Sequence, residues 1–493
     1  MMGKHQPQKD LFSYSVDLDK RVRQNHPLRK VAGKIDFSFV REEVKDCYGH
    51  NGNEGLDPEI IMKLMFLLFW DNVRSERELM QVLPERLDYL WFLGYSLDDD
   101  IPDHSVLSKA RARWGQEVFE SLFIRTVHQC VKSGLVGSER LHMDGSLIDA
   151  DASRDSIMKG PSVLMDQLRD SYQVVEAKLE AAAGTPKGKQ PVNRTLMSKT
   201  DPDAPCAKNK NLDLARPRYK AHRAVDDKHG VITGTRTTPG DVTENTQMQT
   251  LVEQHLYHTG IQPDCVVGDK QYGTVANFRQ MQRMGITTHM AEYAKGKTRK
   301  LPVYGNERFS YDTATDTYIC PAGKSLYPRR YDKPRNAMEY KARKHDCLEC
   351  PLRGQCTTAV NGRTLLRHDG QDLIDQGVTQ SKTPAAYLSR RRRKWRVEGS
   401  FGQATRHHFK RSRYRRLWRQ RIQDWIICAV QNIKILIQHP ITPDKANKAI
   451  SSQHLDNQVF IDLQMVLESV VNKILNPTGV LRWQCRFFRK TSN

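Results

Sequence analysis

Residues 139–290 alternate strand patterns with helical patterns, and this order limits the possible folds more than any other feature of the sequence. A strand is predicted over 139–150, and two strands joined by the turn residues DDKHG are predicted over 219–240. A helix is predicted over 244–258, then a strand in DCVVGDKQYG, a helix in TVANFRQMQRMG and a strand in ITTHMAEY. This order indicates an α/β chain built on a mixed sheet with helices on its faces.

The sequence before this segment has a helical pattern. Apolar residues recur at helical spacing in PEIIMKLMFLLFWDNVRSERELMQVL, where Asp57 and Pro58 provide a cap and a first helical position. A further helix is predicted in IPDHSVLSKARARWG, with Asp103 or Ser105 as its cap. We therefore expect an all-α N-terminal domain.

Positive charge is concentrated in one stretch of the chain. The formal net charge is +21 over 493 residues, and fourteen Lys and Arg residues lie between 390 and 421 with one acid, Glu398. Because such a field attracts polyanions, it predicts a nucleic-acid partner. A solvated basic face or a flexible nucleic-acid arm is the alternative. Aromatic residues within this stretch are predicted to pack its helix onto the sheet: Trp395, Phe401, Phe409, Tyr414 and Trp418.

The same stretch is predicted to be helical from about residue 396 onward. The later apolar positions, from Ile422 to Leu436, hold helical spacing for several turns.

No pattern for membrane insertion or secretion is found. The longest apolar run, residues 60–70, has eleven residues and is interrupted by Lys63, whereas a membrane helix needs about 20. No apolar stretch follows the N-terminal charges, so no secretory signal is predicted. We expect a cytoplasmic protein whose ten cysteines are reduced.

Two aspartates stand at the ends of predicted strands, Asp144 after LHM and Asp269 after CVVG. Such strand ends can share one crevice, although 125 residues separate the two acids. The ordinary alternative is that each aspartate only begins a turn. Glu398 would add a third carboxylate inside a phosphate-binding track. Three carboxylates suffice to hold two Mg²⁺ ions for phosphodiester hydrolysis.

Other acids compete with these three. Asp149, Asp151 and Asp155 follow Asp144 closely, but their neighbours indicate a strand continuing into a loop. Glu292 competes with Glu398, but it lies on a predicted strand only 23 residues after Asp269.

Three motifs resemble the catalytic blocks of DDE transposases from bacterial insertion sequences: HMDGSLIDADAS, VVGDKQYG and VEGSFGQ. GLDPEIIMKLMFLLF, SERELMQVL and IPDHSVLSKAR resemble the N-terminal helical domain of that family. The resemblance covers most of residues 25–437. It implies an RNase H-like core in which Asp144, Asp269 and Glu398 bind metal and are catalytic.

The resemblance also implies an activity, cofactors and partners. The enzyme would be an endonuclease of a transposable element, cutting the insertion-sequence ends and transferring the 3′-OH into target DNA in transposition, a form of DNA recombination. It would use two Mg²⁺ ions, with Mn²⁺ as a substitute. Its partners would be double-stranded DNA at the terminal inverted repeats and at the target, bound by a homodimer associated with the bacterial nucleoid. A non-transposing nuclease and an inactive transposase-derived DNA-binding protein are the alternatives.

Relatives of this family often carry Tyr, Arg, Glu and Lys spaced by two, three and six residues. The corresponding positions hold Arg391, Lys394, Glu398 and Thr405, and Arg406 or Lys410 is the candidate replacement for the lysine. DNA binding is predicted for nine cations: Arg391, Lys394, Arg396, Arg406, Lys410, Arg411, Arg413, Arg415 and Arg416.

A group of cysteines lies between the second and third motifs: Cys320, Cys347, Cys350 and Cys356. Four thiolates, two of them in a C-x-x-C pair, can hold Zn²⁺ tetrahedrally. Four reduced and partly buried thiols without metal are the alternative.

Five segments are predicted. They are a helical DNA-binding or oligomerisation domain (1–135), the first part of the catalytic core (136–300, with a helical and linker excursion at 155–217), a cysteine-containing insertion (301–385), the catalytic helix that completes the core (386–440), and a C-terminal helix and tail (441–493).

Overall fold

In a computed structural model of the chain, residues 139–290 contain the predicted mixed sheet. The structure describes residues 16–49, 55–159, 196–208, 215–290 and 303–439. Apart from residues 132–134, these belong to one compact unit. Glu292, most of the predicted excursion and all of 441–493 lie outside the described residues.

Helices fill the chain before the sheet, as predicted. Asp57 accepts a hydrogen bond from Glu59 N at 2.9 Å and caps the helix that begins at Pro58. Asp103 accepts from Ser105 N at 2.8 Å at the start of a later helix. Among the described residues, eight α-helices precede the first strand: α1 (Leu18–Arg21), α2 (Pro27–Ala32), α3 (Phe39–Val44), α4 (Pro58–Trp70), α5 (Glu76–Val82), α6 (Leu87–Leu93), α7 (Ser105–Trp114) and α8 (Glu117–Lys132).

The strands up to residue 290 are β1 (Leu141–Asp149), β2 (Ile157–Lys159), β3 (Leu196–Ser198), β4 (Cys206–Ala207), β5 (Arg216–Asp226), β6 (Ile232–Pro239), β7 (Cys265–Val267) and β8 (Thr287–His289). The main sheet has the order β6-β5-β1-β7-β8, with β4 beside the start of β5. β5 pairs antiparallel with both β6 and β1, whereas β1 and β7 are parallel, as are β7 and β8. β2 and β3 form a separate ladder.

Two helices connect the parallel strands, α9 (Met248–Thr259) before β7 and α10 (Val275–Arg283) before β8. Three antiparallel strands followed by two parallel strands with helical crossovers is an RNase H-like arrangement. The predicted fold class and the predicted order of elements are therefore confirmed.

A second sheet interrupts the chain before the basic stretch. Its strands are β9 (Ser310–Asp312), β10 (Thr317–Ile319), β11 (Ser325–Asp332), β12 (Ala337–Ala342) and β13 (Thr364–His368), with α11 (Lys344–Leu348) and α12 (Arg353–Cys356) between the last two. All neighbours in this sheet are antiparallel. A separate hydrophobic cluster that includes Leu326 and Tyr340 supports it.

The continuous helix predicted from about residue 396 is wrong. The helices after the second sheet are α13 (Gln371–Ser381), α14 (Pro384–Arg393), α15 (Gly399–Ala404) and α16 (Leu417–Gln438). His408 and Arg416 have φ values of 64° and 83°, which are incompatible with a right-handed helix. The chain therefore leaves the helical path between α15 and α16.

Four of the five aromatic residues of the basic stretch pack into the core, and one is exposed. Phe401 and Phe409 are buried, and their ring centroids are 5.4 Å apart. Tyr414 and Trp418 pack partly buried against the same core, as predicted. The prediction is wrong for Trp395, which is 81% exposed.

One hydrophobic core joins the N-terminal helices to the sheet. Buried residues of α4, α8 and α16 belong to the same cluster as Ile148 of β1 and Val397. The ring of His407 hydrogen-bonds through Nδ1 to the carbonyl oxygen of Phe69 at 2.7 Å. Among the described residues, no helix combines the length and apolar character needed to cross a bilayer.

Candidate active site

The prediction that Asp144 ends a strand is wrong: Asp144 lies in the middle of β1, which continues to Asp149, and it is on the face that packs against the last helices. Leu141 and Met143 point to the opposite face, where they join the cluster of α9 and α10. Asp144 is directly opposite Arg223 of β5, so both side chains lie on the same face. Burial raises the pKa of Asp144 to about 7; the charges of Glu244 and Asp269 add to this, and Arg393 opposes it.

Asp269 follows β7, the strand that pairs with β1. Its carboxylate accepts from Gln271 N at 2.8 Å and caps the short turn Lys270–Tyr272. It therefore begins a turn, as the ordinary alternative proposed, and its charge also raises the pKa of Asp144. Capping the turn and binding a metal ion are compatible roles for Asp269, because a carboxylate with one oxygen in a cap has lone pairs left for another partner.

Glu398 is the last residue of a π-helical turn, Lys394–Glu398, between α14 and α15. This turn packs against β1 and β5. Val397 is fully buried, which leaves the neighbouring Glu398 partly exposed at the surface of the sheet. Single π-helical turns within helices occur frequently at functional sites.

Arg393 connects two of the three predicted acids. Its Nη1 is 3.1 Å from Asp144 Oδ2, and its Nη2 donates to Glu398 Oε1 at 2.8 Å. The structure thus places Asp144 and Glu398 on one guanidinium, although 254 positions separate them in the sequence. Within the described part of the chain, no three His, Cys, Asp or Glu side chains are grouped as closely as the ligands of a metal ion.

Sequence reasoning did not include Arg393 or Glu244 in the site. Arg393 was one of many arginines, and only the fold shows that it faces two carboxylates. The sequence did contain a signal for Glu244, because this acid follows the second predicted strand of 219–240 in PGDVTE, as Asp269 follows CVVG. It lies close enough to Asp144 and Tyr272 to raise the pKa of each, although burial is the larger cause for both.

The competing acids near Asp144 hold other elements together. Asp149 accepts from Arg218 Nε at 2.6 Å, and Asp151 accepts from Arg415 Nε at 3.3 Å. Asp155 accepts from its neighbour Ser153 Oγ at 3.1 Å. These contacts favour structural roles for the three acids.

Several of the nine predicted DNA-binding cations contact the protein itself. Arg396 donates to Lys228 O at 2.9 Å, and Arg413 donates to Arg74 O at 2.7 Å. Lys410 donates to Ser146 Oγ at 3.0 Å. Arg411 and Arg415 pair with Asp151, and the backbone N of Arg416 donates to Asp201. Within the described residues Arg391, Lys394 and Arg406 are exposed and make no ion pair.

The four cysteines of the second sheet lie around one small cavity of about 20 Å³. Burial raises the pKa of Cys356, and the three other cysteines act on it in the same direction. The backbone N of Lys324 donates to Cys320 Sγ at 3.3 Å. Each described cysteine is a free thiol.

An RNase H-like sheet with acids on adjacent strands and a third acid on a basic helix defines a class of enzymes that act on phosphodiesters with divalent metal ions. Two family models match the chain, a Transposase domain (DUF772) over residues 16–113 and a Transposase DDE domain over residues 319–437. The chain therefore carries a transposase domain over 16–113 and a transposase DDE domain over 319–437. It is thus a DNA transposase, of a family whose members cut and join DNA with divalent metal ions.

The chain is also similar to solved transposase structures, at low identity. It shares 12% identity with a piggyBac transposase synaptic complex with hairpin DNA, covering 83% of this chain and 75% of that one, with a TM-score of 0.32. It shares 11% identity with a Mos1 transposase paired-end complex with left transposon end, covering 55% and 70% with a TM-score of 0.16. No curated protein matches the sequence.

Proposed function

We propose that Asp144, Asp269 and Glu398 bind two Mg²⁺ ions and that the chain uses this site to cut insertion-sequence ends and join them to target DNA. The observation that carries this proposal is the pair of contacts from Arg393 to Asp144 and Glu398. These contacts support the proposal because the first and third acids share one guanidinium, and the charge of Asp269 also acts on Asp144.

The donor set fits such ions. Carboxylate oxygens are the hard ligands that Mg²⁺ prefers, and Mn²⁺ accepts the same ligands. The hydroxyl of Tyr272 is buried beside the acids and has no hydrogen-bond partner among the described residues, so the space next to it suits a polar group. The guanidinium of Arg393 must withdraw from between Asp144 and Glu398 before these two can share an ion.

Divalent ions would activate water or a 3′-OH and stabilise the leaving oxygen at the phosphodiester. The protein supplies the rest. Asp144 and Asp269 are fixed by the sheet and by a capped turn, so their positions are preorganised. Arg393 is already at the reaction centre, and after withdrawing it can pair with a DNA phosphate. Cleavage and joining of DNA carrying the element ends, with and without Mg²⁺, tests this proposal.

The partners follow from this chemistry. We expect double-stranded DNA at the terminal inverted repeats and at the target, bound by a homodimer because two ends must be cut together. Because its proposed partner is DNA, we expect the protein at the nucleoid of a bacterial cell.

DNA would reach the acids along the exposed cations Arg391, Lys394 and Arg406. Replacing all three with Gln should reduce the slope of log affinity against log salt concentration by up to about 3, because each lost phosphate contact lowers it by roughly 0.9. Fluorescence anisotropy with a labelled duplex over a series of salt concentrations measures this slope.

The matched control replaces three cations from the segments that follow β11 and β12, Lys333, Arg343 and Lys344, with Gln. These residues are exposed and carry the same total charge. An equal change of slope in both triple variants would show that net charge, and not a DNA path beside the acids, determines binding.

We propose in addition that the four cysteines bind one Zn²⁺. The single cavity that all four line, close to the size of one water molecule, supports this. Among the described residues no three of these thiols are grouped as closely as metal ligands, so the thiols would have to move to close around the ion.

Metal analysis of the purified chain should find one zinc per molecule. Replacing Cys347 and Cys350 with Ser should bring this value close to zero and lower the melting temperature, because structural zinc contributes directly to folding. Cys47→Ser, at an exposed cysteine outside the second sheet, is the control and should keep the zinc. Absence of zinc from the wild-type chain, or its retention in the double variant, would contradict the zinc site.

A further inference from the structure

We propose that Glu244 is a fourth acidic residue of the active site and binds the same divalent ion as Asp144 and Asp269. This inference rests on the proposed function, because it assigns one more ligand to that metal site. With Glu244, the site would contain four acids, the added one coming from the turn after β6.

The first observation is the close approach of Glu244 to β1. Glu244 begins a short 3₁₀ turn, Glu244–Gln247, after β6. Its side chain lies against Gly145, where an added Cβ would be only 2.9 Å from Glu244 Cγ and Cδ. Because Gly145 directly follows Asp144 and has no side chain, the side chain of Glu244 reaches the backbone beside that aspartate.

The second observation is a clamp between the segments of Glu244 and Asp269. The side-chain amide of Asn277 donates to Asn245 O at 3.0 Å and to Tyr272 O at 2.9 Å. One acceptor directly follows Glu244, and the other ends the turn that Asp269 caps. Asn277 is buried, so this clamp fixes the two acids relative to one another.

The third observation is the hydroxyl of Tyr272. This side chain is fully buried, and its hydroxyl has no hydrogen-bond partner among the described residues. The residues whose charges act on it are Glu244, Asp144 and Asp269, opposed by Arg393. A buried hydroxyl without a partner costs stability, so its position indicates that a polar ligand belongs among these acids.

A purely structural role for Glu244 is the competing explanation. Lys220 Nζ is 3.6 Å from Glu244 Oε1, and it also donates to Val242 O at 3.0 Å. If Glu244 served only this ion pair, its replacement would change the stability of the fold and leave metal binding unchanged. Metal affinity therefore separates the two roles.

The test is titration of the full-length chain with Mn²⁺, followed by the loss of the free-ion electron paramagnetic resonance signal. Glu244→Gln should weaken Mn²⁺ binding by roughly 10–100-fold, the range found when residues that support a metal site are removed. Glu253→Gln, at an exposed acid of α9, is the matched control and should bind as the wild type does. Wild-type affinity in Glu244→Gln would overturn the proposal.

Two further variants keep the outcome decisive. Glu244→Asp retains the charge facing Lys220 but withdraws the oxygens, so it should bind Mn²⁺ with intermediate affinity at an unchanged melting temperature. If Glu244→Gln does not fold, wild-type affinity in Glu244→Asp overturns the proposal. Asp144→Asn separates failure of the proposed metal site from failure of the role assigned to Glu244. If Asp144→Asn also binds Mn²⁺ with wild-type affinity, the proposed metal site itself is wrong, and not only the role of Glu244.

Discussion

Asp144→Asn, Asp269→Asn and Glu398→Gln should each reduce Mg²⁺-dependent cleavage of element-end DNA by roughly 10³-fold or more. An amide keeps the shape of the carboxylate but removes the negative charge that holds a divalent ion. Loss of several kcal/mol of transition-state stabilisation corresponds to a rate loss of this size. A gel assay of strand cleavage and joining with purified protein measures it.

The same variants should bind DNA about as tightly as the wild type, because phosphate contacts come from the cations around the acids. Asp149→Asn is the matched control, since it is an acid of the same strand that pairs with Arg218. Full cleavage by Glu398→Gln would remove that residue from the site. Complete loss of cleavage in Asp149→Asn at unchanged folding would favour the competing acid.

Arg223→Met should cost roughly 3–5 kcal/mol of folding free energy, the cost of removing one partner of a buried ion pair. Arg223 and Asp424 are both almost fully buried, with 3.1 Å between Arg223 Nη2 and Asp424 Oδ1. Arg223 also donates to Gln431 Oε1 at 2.9 Å and to Ser400 O at 3.3 Å. These bonds tie β5 to α16 and to the residues just after Glu398.

Urea unfolding followed by circular dichroism measures this loss. The double variant Arg223→Met with Asp424→Leu should regain much of the stability, because no buried charge is then left without its partner. An unchanged unfolding midpoint in Arg223→Met would mean that Asp424 is compensated by Thr235 and Thr237, whose hydroxyls also donate to it.

The sheet was predictable because its signals are local. The turn residues DDKHG mark the hairpin of β5 and β6, the apolar run CVV marks β7, and Asp57 and Pro58 mark a helix start. Their order along the chain then left few possible topologies. The three acids were found because each follows or interrupts such a local pattern.

The remaining features depend on contacts between distant residues. The break between α15 and α16 requires positive φ at His408 and Arg416, neither of which is the glycine that usually marks such a position. The role of Arg393 depends on Asp144, which lies on another element. Trp395 has the apolar character of a core residue but faces away from the sheet, and spacing alone could not determine its direction.

Anomalous diffraction from crystals of the chain grown with Mn²⁺ and DNA would locate the ions that we propose at Asp144, Asp269 and Glu398. We expect manganese peaks between the carboxylates of Asp144 and Asp269, with Glu398 joining them and the guanidinium of Arg393 moved away. Manganese bound only elsewhere, for example at Asp149 and Asp151, would contradict this site. So would a complex with cleaved DNA in which Arg393 still bridges Asp144 and Glu398.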